Sequence, residues 1–231
     1  MGRENVAAPT LASLQTNFGL APLIGKPLAI ISDARLGGRS NQAAIAERLL
    51  SISGEDTITI DRKFQSAWTG RLPTRFILLT NELPRLSDSS GALTKRLVVL
   101  VLERSFYGKE DLALTPRLAT ERPGILNWAR VGYLRLRERG HFLQPQSGFE
   151  AIEQLETLAS PVTAFVREHC DIRTGMNVPV DTLYQSWRVW CDANGKREPG
   201  TAQTFGRDLK AAFPMIKTTN PLRSGGEDEI L

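Results

Sequence analysis

The strongest constraint on the fold is an apolar run that ends abruptly in polar residues. Residues 76–79 read Phe-Ile-Leu-Leu and lead directly into a polar tip that contains Asn81. Two similar apolar runs occupy residues 28–33, which end in a carboxylate, and residues 97–102. Short, continuous apolar runs are typical of parallel strands that are buried on both faces. With helical segments between and after them, these three strands predict a three-layer α/β domain.

Changes in composition divide the chain into three parts. Residues 1–145 hold the predicted α/β domain, and residues 146–160 form a polar linker with a short helix. Residues 161–231 have the spacing of three compact helices, followed by a tail from Met215 that suits a small two-stranded wing. Three helices with a wing are typical of a winged-helix domain.

Several segments within these parts have clear helical periodicity. Residues 40–50 predict a helix with a polar start. A second helix, predicted after Pro123, mixes an apolar core face with arginines and ends at Gly140. In the helical part, Trp187 and Trp190 share an apolar face, so we expect them in the core and not as base-stacking platforms.

Charge and cysteine content narrow the functional classes. The 231 residues carry a formal net charge of +4, and the excess lies in residues 60–104, which hold eight Lys or Arg and four Asp or Glu. A local basic surplus suits nucleotide or nucleic acid, although a solvated basic surface explains it equally well. Cys170 and Cys191 are expected to be buried thiols in a reducing cytoplasm. The sequence contains no signal peptide and no apolar run of the roughly 18 residues that a membrane span needs.

Polar residues next to the predicted strands suggest nucleotide chemistry. Asp33, at the end of one strand, is placed to hold Mg²⁺ directly or through water. Asn81 can orient a water molecule at a γ-phosphate, and Lys95 and Arg96 can reach a phosphate bound to a neighbouring subunit. Each has a simpler interpretation, as a turn or cap residue or as a basic pair at the start of a strand. Together, and in this order, they favour a nucleotide-hydrolysing ring.

The chain has no match to the phosphate-binding P-loop, G-x-x-x-x-G-K-[ST]. The nearest stretch, residues 19–27, has a five-residue spacer between its glycines, Pro27 in place of the magnesium-binding Ser or Thr, and a predicted strand after it. We therefore expect this polypeptide to bind ATP poorly and to hydrolyse little of it, because the other residues cannot replace the phosphate cradle.

Four longer segments resemble a known family. They are GEDTITIDRKF, FILLTNELPR, GALTKRLVVLVLERSF and GILNWARVGYLRLRERG. Together they resemble the ATPase of phage and plasmid primase–helicases, which are superfamily 3 helicases of the AAA+ class related to the poxvirus primase–helicase. The resemblance covers roughly residues 5–140, and the winged helix fits the domain appended in the same proteins. It implies a partial AAA+ ATPase domain, ATP and Mg²⁺ as cofactors, DNA as the partner and a homo-hexameric assembly.

The resemblance also implies roles for individual residues. Asp33 matches the Walker B acid that holds Mg²⁺, Asn81 matches the sensor asparagine, and Arg96 matches the arginine finger, with Lys95 beside it as a nucleotide-binding group. Ala34 stands where a second acid would follow Asp33, which leaves open the group that activates water. Family members carry the P-loop upstream of the matched region, so the chain resembles the C-terminal part of a longer primase–helicase.

Two surfaces are predicted to contact DNA. The resemblance places Arg62 and Lys63 in the region of a DNA-contacting hairpin inside the helicase ring. In the third helix of the helical part, Gln203, Arg207 and Lys210 lie opposite the apolar face and can reach base edges or phosphates. Many winged helices bind proteins instead, and the helical part carries no net charge.

These features lead to three functional hypotheses. The first is the C-terminal part of an ATP-dependent DNA helicase for phage or plasmid replication, inactive in ATP hydrolysis by itself. The second is a non-enzymatic DNA-binding or regulatory protein that uses the ATPase remnant as a scaffold. The third is an assembly module that mixes with full-length subunits through Arg96.

Overall fold

The computed structural model describes residues 2–35, 40–88, 90–196 and 198–219. The chain forms two compact units, of which the first combines residues 1–96 with residues 153–231 and the second contains residues 97–152. The domain limits expected from the sequence, at residues 145 and 160, concern independently folding parts and stay a prediction.

A parallel three-stranded sheet forms the α/β part of the first unit. In chain order, the strands of the described residues are β1 (Val6–Ala7), β2 (Leu28–Ile31), β3 (Ile58–Arg62), β4 (Gln65–Gly70) and β5 (Arg75–Leu78). The sheet has the order β1-β2-β5, and Ile31 stands opposite Leu78. The strands predicted at residues 28–33 and 76–80 are therefore confirmed.

The third predicted strand, at residues 97–102, is wrong. A short 3-10 turn over Thr94–Arg96 is followed by extended chain that pairs with no strand of the described residues. Leu100 is 71% exposed and Leu102 is 91% exposed. An apolar run becomes a strand only where a neighbouring strand satisfies its backbone donors and acceptors, and the described residues provide none here.

Helix α1 (Gln42–Ser53) connects β2 to the other end of the sheet. Asn41 caps the helix, because its side-chain oxygen accepts a hydrogen bond from the Ala44 N–H at 3.1 Å. Ile45 and Leu49 are buried in the core that covers the sheet. At a rise of 1.5 Å per residue, twelve residues span about 18 Å. Helix α1 thus returns the chain from the carboxyl edge of the sheet to its amino edge.

Strands β3 and β4 form an antiparallel hairpin between α1 and β5. Arg62 stands opposite Gln65, and the ladder is irregular between Ile60 and Arg62. Ile60 is buried in the α/β core, so the base of the hairpin is anchored. The two residues at the tip are Lys63 and Phe64.

The second unit contains helices α2 (Leu114–Thr120) and α3 (Arg122–Arg139). Gly140 ends α3 as predicted, with a φ of 79° and its N–H bonded to the Leu136 carbonyl oxygen at 2.8 Å. None of the helices in the described residues combines the length and apolarity needed to cross a lipid bilayer.

The predicted core face of α3 is wrong, because its apolar side chains are exposed. Ile125 is 45% exposed, Leu126 is 70% exposed and Tyr133 is 58% exposed. No large hydrophobic side chain among residues 97–152 of the described chain is buried. Helical periodicity predicted the helix correctly but could not show whether anything covers its apolar face.

The helical part of the first unit has its own core. Its helices are α4 (Phe149–Ala159), which begins in the second unit, α5 (Pro161–His169), α6 (Val180–Ala193) and α7 (Ala202–Ala212). The Trp187 ring stacks on Phe205 with centroids 5.3 Å apart and meets the edge of Phe165 at 5.5 Å. Trp187 and Trp190 are buried, so the three helices and the core position of both tryptophans are confirmed.

Two other predictions for the helical part have mixed outcomes. Cys191 is fully buried and Cys170 is half-buried, both are free thiols, and burial raises the pKa of each. No strand of the predicted wing occurs in the described residues 215–219, and residues 220–231 lie outside the described part of the chain.

Hydrogen exchange should distinguish the two kinds of helix. Amides of α3 should exchange faster than amides of α1 and α5, because local opening of α3 breaks few buried apolar contacts. Hydrogen-exchange mass spectrometry of the intact chain measures this difference. Slow exchange in α3 that depends on protein concentration would contradict the prediction, since another molecule would then cover the helix.

Candidate nucleotide and nucleic-acid interfaces

The ends of β2 and β5 place two predicted site residues at one edge of the sheet. The Leu79 N–H donates to the Ile31 carbonyl oxygen at 2.8 Å, and the Ala34 N–H donates to the Leu79 carbonyl oxygen at 3.0 Å. Asp33 lies between these two contacts, and Asn81 follows shortly after Leu79. The carboxyl ends of neighbouring parallel strands form the crevice where open α/β sheets bind ligands. The structure brings Asp33 and Asn81 to adjacent strand ends, and their chemical roles stay predictions.

Asp33 forms a solvent-exposed ion pair at this edge. Its Oδ1 accepts a hydrogen bond from Arg35 Nε at 2.8 Å, with 60% of the Asp33 side chain and 59% of the Arg35 side chain exposed. This hydrogen bond and the charge of Arg35 lower the pKa of Asp33. In return, Asp33 and, more weakly, Glu82 raise the pKa of Arg35. Asp33 is therefore an ionised carboxylate, the type of ligand that hard cations prefer.

The described residues fit Mg²⁺ and ATP only in part. Mg²⁺ usually takes one or two protein carboxylates and completes its shell with phosphate oxygens and water, and Asp33 supplies one such carboxylate. No group of three or more His, Cys, Asp or Glu side chains in the described residues could hold a metal ion. Residues 19–27 do not form a phosphate cradle, because β2 follows Lys26 and the Lys26 ammonium donates to the Glu4 carbonyl oxygen. The nucleotide would meet isolated contacts here and not a complete site.

Lys95 and Arg96 lie at the opposite end of α1 from these strand ends. Arg96 Nη1 donates to the Leu50 carbonyl oxygen at 2.7 Å and to Ser53 Oγ at 3.0 Å. A cation bonded to the last carbonyls stabilises a helix C-terminus, so Arg96 caps α1, and Lys95 beside it is exposed. Because α1 spans about 18 Å, Arg96 does not meet Asp33 within one chain.

A buried aspartate fixes the turn that carries the basic pair. Asp88 is only 9% exposed, and its Oδ2 accepts a hydrogen bond from the Leu93 N–H at 2.7 Å. Its Oδ1 accepts another from the Ser90 N–H at 3.1 Å. Sequence reasoning missed Asp88, although an Asp followed by small polar residues and a glycine is a recognised turn signal.

The β3–β4 hairpin presents one of its two predicted DNA contacts at its tip. Lys63 is exposed, whereas Arg62 is half-buried and bonds across the hairpin through Nε to the Ser66 carbonyl oxygen at 2.9 Å. Phe64, which sequence reasoning did not select, is 93% exposed and lies under the Lys63 ammonium, 5.2 Å from Nζ to the ring centroid. An aromatic residue directly after a basic pair, between two strand-forming segments, is the signal that could have identified it.

Helix α7 presents the three side chains predicted to face DNA. Gln203, Arg207 and Lys210 are exposed, and Phe205 and Leu209 on the other face are buried. This arrangement confirms the two faces of the helix, while contact with DNA stays a prediction. Arg207 also contacts Asp208 of its own helix at 3.3 Å, which partly offsets its charge.

Two family models match separate parts of the chain. Residues 1–96 match a family of unknown function (DUF5906). Residues 159–220 match the poxvirus D5 protein-like family. Both matched segments fall within the first unit. The second match supports, at a coarse level, a relationship between this chain and primase/helicase-like proteins of DNA replication.

Replacing Arg35 should reveal its effect on the strand-end carboxylate. In R35Q the pKa of Asp33 should rise toward its ordinary value, because the carboxylate loses a charged hydrogen-bond donor. An NMR titration that follows the side-chain carboxyl carbons measures the change. The exposed Arg71 provides a control, since R71Q should leave the pKa of Asp33 unchanged. An Asp33 pKa that is the same in R35Q as in the wild type would show that the ion pair does not form.

Proposed function

We propose that the chain acts in DNA replication as part of an ATP-dependent DNA helicase of the primase–helicase type. The match of residues 159–220 to the poxvirus D5 protein-like family carries this proposal. The position of Asp33 and Asn81 at adjacent strand ends supports it, since related ATPases hold nucleotide at the carboxyl edge of a parallel sheet. The proposal includes the AAA+ and winged-helix assignments made from the sequence.

In this function ATP and Mg²⁺ are the cofactors, DNA is the partner and a homo-hexamer is the working assembly. Asp33 would be a ligand of Mg²⁺, Asn81 would orient the attacking water, and Arg96 with Lys95 would contact phosphates held by a neighbouring subunit. The length of α1 supports action between subunits, because Arg96 cannot reach the strand ends of its own chain. To reach a neighbour, the Arg96 guanidinium would have to leave the α1 C-terminus.

DNA contact would come from two places. The hairpin would contribute the basic residues Arg62 and Lys63, and helix α7 would contribute Gln203, Arg207 and Lys210. Lysine and arginine contacts to phosphates supply most of the salt-dependent affinity of such proteins. Glutamine at the start of an exposed helix can in addition read base edges.

A second candidate is a non-enzymatic DNA-binding or regulatory protein. The separate aromatic core of the helical part favours it, because α5, α6 and α7 are held together by contacts among themselves. In this case the α/β part would act as a scaffold, and DNA binding would be independent of ATP.

Nucleotide assays should show little activity for the purified chain. We expect phosphate release from ATP to stay near background with or without DNA, because the described residues lack a phosphate cradle. Robust DNA-stimulated hydrolysis would contradict this expectation. Binding of a fluorescent ATP analogue separates the two candidates: weak, Mg²⁺-dependent binding that D33N abolishes supports the helicase, and DNA binding without any nucleotide binding supports the regulatory protein.

Substitutions in α7 should weaken DNA binding in a salt-dependent way. The double variant R207A/K210A should bind duplex DNA less tightly, and the slope of log K against log salt should fall by about 1.8, as expected for two lost phosphate contacts. Fluorescence anisotropy over a salt series measures both quantities. The control R173A/R188A removes the same charge from exposed positions elsewhere in the helical part. Equal losses in the two double variants would exclude a specific role for α7.

A further inference from the structure

We propose that the tip of the β3–β4 hairpin is a platform for single-stranded nucleic acid. The Phe64 ring stacks against an unpaired base, and the Lys63 ammonium contacts a neighbouring phosphate. Arg62 braces the hairpin and does not contact nucleic acid, in contrast to the role expected from the sequence. This platform presupposes the proposed function, which it deepens by naming the class of nucleic acid that is bound.

Phe64 has a conformation that folding alone does not favour. Its side chain is 93% exposed and its φ is 60°. A positive φ is disfavoured for residues with a β-carbon, and Gly, Asn or Asp is the usual choice at a two-residue hairpin tip. The ring gains nothing from burial at this position. A residue whose backbone and side chain both oppose stability indicates a role for the ring outside the fold.

Lys63 supplies the charge that such a platform needs. Its Nζ lies 5.2 Å from the centroid of the Phe64 ring, within the range of a cation–π contact. The charged residues around the tip are Asp61, Arg62 and Lys63, and residues 65–70 carry no charge, so the tip is net positive. An open aromatic ring beside a cation is the combination that sequence-tolerant single-strand binders use.

Arg62 is committed to the hairpin itself. Its Nε donates to the Ser66 carbonyl oxygen at 2.9 Å, and its Nη2 lies 3.5 Å from Ser66 Oγ. These contacts tie the first strand to the second on either side of the tip. The irregular ladder between Ile60 and Arg62 also increases the local twist. The guanidinium thus holds Lys63 and Phe64 in place.

Stacking on Phe64 requires a base that is not already stacked on both faces. Single strands offer such bases, whereas in a duplex every internal base is covered by its neighbours. Because every base has an aromatic face, we expect little sequence preference. An exposed phenylalanine beside a lysine also suits a protein surface, and the test below separates that role from nucleic-acid binding.

Fluorescence anisotropy with the full chain tests the platform. The probes are labelled oligo(dT) of about 16 nucleotides and a duplex of the same length. F64A should weaken oligo(dT) binding by about 5- to 150-fold, the range for loss of one base–aromatic stack, and F64W should restore it. Duplex binding should stay unchanged. The matched control is Y107A, which removes an aromatic side chain that is 94% exposed and should not change either affinity.

Two further variants separate binding from folding. In F64G the thermal midpoint should stay the same or rise, because glycine tolerates a positive φ, while oligo(dT) affinity should fall as in F64A. K63Q should lower the salt slope for oligo(dT) by about 0.7, as expected for one phosphate contact on a single strand. R62Q should lower the thermal midpoint.

The outcomes distinguish this inference from the proposed function. If the wild-type chain binds neither probe, the proposed function fails and the platform fails with it. If R207A/K210A weakens DNA binding but F64A leaves oligo(dT) affinity unchanged, only the platform is refuted, and a protein-docking role for the ring takes its place. Equal losses on oligo(dT) and duplex in F64A would also refute it, because stacking requires an unpaired base.

Discussion

Parallel pairing between β2 and β5 is the constraint on which the α/β part depends. Neighbouring parallel strands cannot be joined by a tight turn, so the chain must return along the sheet before the second strand begins. Helix α1 provides that return, and the β3–β4 hairpin is inserted after it. As a consequence, Asp33 and Asn81 leave the sheet at the carboxyl edge, while the hairpin departs beside the C-terminus of α1. The two candidate interfaces of this part therefore lie at opposite ends of one helix.

The sequence predicted those elements whose burial is decided locally. The apolar run that became β2 is followed by a helix whose buried residues cover it, so the pattern on both elements agreed. Helix α7 was equally clear, because Phe205 and Leu209 recur at helical spacing and the polar residues occupy the other face. Asn41 and Thr201 could be recognised as helix caps from residue type and position alone.

The errors concern features that depend on partners distant in sequence. Residues 97–102 have the composition of a strand, but only a neighbouring strand could make them one. Helix α3 has an apolar face with the correct period, and its periodicity carries no information on what covers it. Phe64 was missed because its position at the hairpin tip depends on the register that places Arg62 opposite Gln65. Read as part of a strand, it would be an ordinary core residue.

The C-terminus of α1 connects the residues proposed to contact nucleotide and nucleic acid. The Leu50 carbonyl oxygen accepts hydrogen bonds from the Gly54 N–H at 2.8 Å and from Arg96 Nη1 at 2.7 Å. Space here is limited, since a β-carbon on Gly54 would lie 3.1 Å from that oxygen and 3.2 Å from Arg96 Nη1. Strand β3 begins four residues after Gly54 and leads to Lys63 and Phe64. Withdrawal of Arg96 toward a neighbouring subunit would therefore change the hydrogen bonding of the turn from which the hairpin departs. This turn, and not the sheet, is the most direct covalent route between Arg96 at the end of α1 and the hairpin tip.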